Sequence, residues 1–130
     1  MRSRDSLLRL HRFRTDDLKR QVGETDLMIQ DLMRKHDELD AHVKFEEGRN
    51  GISDPNNVNY SMAAKSVRGR RDNILRTVAE LRDQHEAMIA KLEEESAELR
   101  KIELLVEKEG ASLRTPLIPG VGELGQVLHR

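Results

Sequence analysis

Cysteine and tryptophan are both absent, and one tyrosine and two phenylalanines supply all the aromatic side chains. Without thiols there is no disulfide framework, no thiolate nucleophile and no cysteine ligand for zinc, which suits a reducing compartment. With only 2% aromatics in 130 residues and a mean hydropathy of -0.72, the chain cannot fill a thick globular core. Long apolar runs are missing too. No stretch is of membrane-spanning length, and the arginine-rich first fourteen residues contain no run like that of a signal peptide before Asp16 and Asp17. A cytoplasmic protein without direct membrane insertion is therefore expected. Nor does one charge dominate: 23 Lys+Arg face 24 Asp+Glu, which is not the basic balance of a dedicated nucleic-acid binder.

What the chain has is charge, 36% of its residues, laid over a regular apolar period. Alternating steps of three and four trace a first seam: Leu8, His11, Thr15, Leu18, Val22, Thr25, Ile29, Leu32, His36, Leu39 and Val43. A second runs without a phase slip from Ala64 through Val67, Arg71, Ile74, Val78, Leu81, His85, Met88, Leu92, Glu95, Leu99 and Ile102 to Val106. A sustained seven-residue repeat selects a coiled coil, because the stripe of an ordinary amphipathic helix drifts around its axis.

The seams are separated by residues 48–60, rich in Gly and Asn and interrupted by Pro55. Such residues favour turns and remove a backbone donor. Ser61 ahead of Met62-Ala-Ala-Lys65 is the better helix start, with a single turn near Pro55 before it. The expected architecture is all-α: helices over about 3–47 and 61–109 form an antiparallel coiled-coil hairpin, residues 48–60 connect them, and a mobile tail fills 110–130. The preferred register sets Leu8 against Ile102, Thr15 against Glu95, Thr25 against His85 and Leu39 against Arg71.

Charge supports this fold independently. Residues 1–20 carry a net +4 and their expected neighbours 93–109 a net -4, while 65–82 carry +4 and 31–47 carry -3. Exposed pairs are each worth at most about 1 kcal/mol, so they choose an arrangement more than they hold it together. The polar layers at Thr15, Thr25 and Arg71 bury little apolar area, so a marginally stable, breathing hairpin is expected.

Few motifs carry chemistry. Gly120-Val-Gly-Glu-Leu-Gly125 matches a dinucleotide-loop string, but no strand precedes it and no βαβ unit surrounds it. The five histidines include no pair at the i, i+4 spacing that aims two imidazoles at one metal. Carboxylates abound, yet a two-helix fold offers no pocket to shift a pKa or exclude water. Neither catalysis nor a cofactor is expected. The arginines of 2–20 and 65–82 have two readings, contact with phosphates or neutralisation of acids across the hairpin, and the charge balance favours the second. Partner-contact candidates are the basic start, Arg2, Arg4, Arg9, Arg12 and Arg14, and the tip residues Phe45, Ile52 and Tyr60.

Three strings add what periodicity does not: Met1-Arg-Ser-Arg-Asp-Ser-Leu-Leu-Arg-Leu10, Gly51-Ile-Ser-Asp-Pro55 and Arg70-Arg-Asp-Asn73. Together they resemble the flagellar FliJ family, particularly its alphaproteobacterial branch, over residues 1 to about 109. The resemblance implies a stalk-like coiled-coil component of the flagellar type III export apparatus. It would be cytoplasmic and peripheral to the membrane-embedded machinery, associating with the hexameric export ATPase, the cytoplasmic domain of the export gate and export chaperones. Its role would be coupling, with ATP hydrolysis left to the partner. In those terms the basic residues are candidates for the ATPase ring and the tip residues for the gate. The alternatives are a self-associating structural coiled coil and a nucleic-acid-binding arm.

Overall fold

The computed structural model describes residues 2–114, with side chains from 4 to 111. Two helices and one loop make up this range: α1 is Arg2–Asn50 and α2 is Met62–Arg114. The protein is an antiparallel helical hairpin, as the two seams require. Every seam residue from Leu8 to Val43 and from Ala64 to Val106 is buried or half-buried, while most positions between them are exposed. The heptad period therefore marks the face each helix turns toward its partner.

Two compact units divide the chain. In the unit spanning Arg20–Ala90, Ile29, Val43, Tyr60, Ala64, Val67 and Val78 are buried. Arg71 Nη1 donates to Asp40 Oδ1 at 2.8 Å, one residue from the predicted pairing of Leu39 with Arg71. In the unit that joins the start of α1, through Lys19, to α2 from Lys91 onward, Thr15 and Ile102 are the buried side chains among the described residues. Arg14 lies 4.0 Å from Glu95, again one residue from the predicted pairing of Thr15 with Glu95. The register read from the seams thus holds within each unit.

Both helices run further than the sequence pattern suggests. α1 passes through Gly48 and ends at Asn50, because the turn is made by Gly51. Its φ of 76° lies in the left-handed region that only glycine enters cheaply, and its N–H donates to Glu47 O at 2.8 Å. A glycine inside a helix costs about 1 kcal/mol relative to alanine, too little for Gly48 to end so long a helix. α2 likewise continues through Gly110 to Arg114, with no proline before Pro116. The remainder of the expected tail, 115–130, lies outside the described residues, as does the Gly120–Gly125 string.

The loop between the helices is held by its own side chains. Asp54 Oδ1 accepts from Asn56 N–H at 3.0 Å, and Asn57 Oδ1 accepts from Asn59 N–H at 2.8 Å, so each side chain props the backbone two residues on. Asn50 Nδ2 donates to Asn59 O at 2.9 Å and ties the end of α1 to the end of the loop. Ser61 caps α2 as expected, its Oγ accepting from Ala64 N–H at 3.1 Å.

Candidate functional site

The basic start of α1 is largely engaged with α2. Arg4 Nη1 donates to Glu109 at 2.6 Å, Arg12 lies 3.5 Å from Glu103 and Arg14 4.0 Å from Glu95. His11 Nδ1 stands 2.8 Å from the other oxygen of Glu95. Arg9 is exposed, and Arg2 belongs to α1 with its side chain outside the described range. Of the five basic candidates, Arg4, Arg12 and Arg14 thus face carboxylates of the other helix. The same holds near the loop, where Arg68 lies 4.0 Å from Glu47 and Arg71 bonds Asp40.

Glu95 departs from the layer pairing. Its carboxylate turns toward His11 and Arg14, and Thr15, its expected partner, is left 3% exposed with an Oγ1 that has no hydrogen-bond partner. A glutamate is long enough to reach a cation one turn away, and a charge-assisted contact is stronger than one to a hydroxyl.

The tip candidates separate into two kinds. Phe45 is 60% exposed, with the Arg49 guanidinium 5.8 Å from its ring centroid, and Ile52 is half-buried. Tyr60 is buried instead, so its ring packs the loop and does not face outward. Its hydroxyl donates to Glu47 Oε2 at 2.6 Å. Burial, reinforced by the Glu47 carboxylate, pushes its pKa above the ordinary value.

Asp40 forms the other perturbed cluster. Hydrogen bonds from Lys44 and then Arg71 hold its pKa below the usual carboxylate value. The Arg71 guanidinium also reaches Asp72 at 3.1 Å. This is an ion-pair network on the side of the seam.

Shallow, open grooves lie along the helices and beside the loop, and two of those along the helices stand in different units. One is lined by Lys35, Glu38, Leu39, Arg70, Asn73 and Ile74, the other by Phe13, Arg14, Asp17, Leu18, Lys91, Glu94 and Glu95. Among the described residues no group of three or more His, Asp or Glu side chains is arranged to hold a metal ion. No helix among them is long and apolar enough to cross a membrane.

Seam reasoning passed over several exposed apolar side chains. In the unit containing both ends of the hairpin, Leu7, Leu10, Phe13, Leu104 and Leu105 are 41%, 42%, 68%, 57% and 45% exposed. The signal was present in the sequence, as large apolar residues off the seam in a chain otherwise rich in charge. No family model matches the chain, and neither a curated protein nor a solved structure does.

Proposed function

We propose that this protein is a non-enzymatic coupling and adaptor subunit of flagellar type III protein export. It links the hexameric export ATPase to the cytoplasmic domain of the export gate and to export chaperones, in the cytoplasm and peripheral to the membrane-embedded apparatus. The observation that carries the reading is the antiparallel helical hairpin itself, the architecture implied by the resemblance of its N-terminal, loop and Arg70–Asn73 strings to the FliJ family. A paired-helix protein whose grooves are shallow presents side chains along its helices, which suits binding to other proteins.

Engagement of Arg4, Arg12, Arg14, Arg68 and Arg71 with carboxylates also favours a protein partner over a nucleic-acid one, because cations already neutralised within the chain contribute less to phosphate binding. Among the described basic candidates Arg9 is the one without a carboxylate partner on the other helix, and Phe45 is the exposed apolar one at the tip.

Deletion of the gene tests the role in the cell. A strain that swims poorly and bears few filaments is expected, with both restored by the full chain supplied in trans. Normal filaments and swimming would contradict the proposal.

A further inference from the structure

Asn50 and Gly51 are the one Asn-Gly pair in the sequence, and the fold sets them where α1 ends and the chain turns. An asparagine carries its side-chain amide within reach of the next residue's backbone nitrogen, and closure of the two into a five-membered imide is hindered by that residue's side chain. Gly51 has none. The other asparagines, Asn56, Asn57, Asn59 and Asn73, precede Asn57, Val58, Tyr60 and Ile74, all of which carry side chains that crowd the nitrogen. Asn50 and Gly51 are both exposed, so water reaches them, and the space around Gly51 is open to 4 Å from where a Cβ would stand.

Two hydrogen bonds keep the pair apart in the closed fold. Gly51 N–H points back along α1 and donates to Glu47 O at 2.8 Å, while Asn50 Nδ2 donates to Asn59 O at 2.9 Å. Bonds at an exposed helix end open at little cost. We propose that Asn50 is a site of spontaneous covalent modification that the closed tip delays, becoming aspartate and isoaspartate through a cyclic imide with Gly51 when the end of α1 opens. Base takes the proton of Gly51 N–H, the nitrogen bonds to Asn50 Cγ, and the Cγ–Nδ2 bond breaks with release of ammonia. Water then opens the imide. Attack at Cγ gives aspartate, and attack at the main-chain carbonyl carbon of Asn50 gives isoaspartate, with an extra methylene in the backbone. The net exchange is one water in and one ammonia out. Neither product keeps the Nδ2 donor, so the tie to Asn59 O is lost and a carboxylate stands at the end of α1 where the helix dipole disfavours an anion. The conversion therefore unfastens the loop from α1.

This chemistry needs no partner, so it stands or falls separately from the coupling role. The full native chain, Y60F and a free peptide of residues 47–54 are kept in warm neutral buffer made with heavy-oxygen water, and digests are read by mass spectrometry with isoaspartate resolved by chromatography. Label is expected at residue 50 of the native chain, more slowly than in the peptide and ahead of Asn56, Asn57, Asn59 and Asn73. Y60F, which breaks the Tyr60–Glu47 bond beside the same turn, should convert about 5- to 30-fold faster than the native chain. No label at residue 50 of the native chain by the time the peptide has fully converted would overturn the proposal, as would earlier label at another asparagine. A native rate equal to that of the peptide, or a Y60F rate no higher than the native one, would also overturn it, since the closed tip would then delay nothing.

Discussion

Tyr60 Oη donates to Glu47 Oε2 at 2.6 Å, closing a link between the residue before the α2 cap and the last turns of α1. Because the ring is buried and the acceptor is charged, this link does more than a typical exposed contact. Tyr60→Phe is expected to lower unfolding stability by about 1 to 2 kcal/mol, and Tyr60→Ala by about 3 kcal/mol or more through lost packing. Urea unfolding with an unchanged slope checks both values.

The same link predicts a response to alkali. Tyr60 has its folded pKa raised above the unfolded value of 10.0, so its contribution is complete below about pH 10 and is lost as the pH climbs through the folded value. Thermal melts of the native chain should fall above pH 10 more steeply than those of Tyr60→Phe. Parallel curves would contradict this.

At the opposite sign stands Asp40. Its folded pKa lies below 3.8, so the stability it adds is present above that value and fades as pH falls through the folded pKa. Asp40→Asn removes this acid-dependent component, and its stability should depend less on pH below about 4 than that of the native chain, as read by circular dichroism.

Thr15 is a place where the protein can be improved. Its Oγ1 is buried without a partner, and an unsatisfied hydroxyl costs about 1 to 3 kcal/mol. Thr15→Val replaces the hydroxyl with a methyl group of similar size and should raise stability by about 1 kcal/mol, seen as a higher urea midpoint.

Gly51 makes the turn that ends α1. A Cβ there would meet nothing within 4 Å, so the cost of Gly51→Ala comes only from the left-handed φ of 76°. A loss of about 1 to 2 kcal/mol is expected. Gly51→Asn, whose side chain tolerates that region better, should lose less. Equal losses would place the cause elsewhere.

The seam and its register were legible because a seven-residue repeat constrains every layer at once, so Ile29, Val43, Val78 and Ile102 all fall where the period puts them. Helix ends were less legible. Gly48, Gly51 and Gly110 look alike in sequence, and which of them breaks a helix depends on whether the chain must turn there. Tyr60 looked available at the tip, but a ring beside a tight loop is drawn inward when a carboxylate such as Glu47 can take its hydroxyl. Glu95 left Thr15 for His11 because long side chains choose partners a full turn away. The exposed side chains of Leu7 and Leu105 were readable in principle, yet a heptad search looks first at the seam.

Recovery of partners from the native cytoplasm, with the full chain as bait beside a form ending at Arg114, tests the central proposal most directly. The coupling role predicts co-purification of a hexameric export ATPase or of the cytoplasmic domain of the export gate. Recovery of neither, with only nucleic acid or further copies of this chain retained, would contradict it.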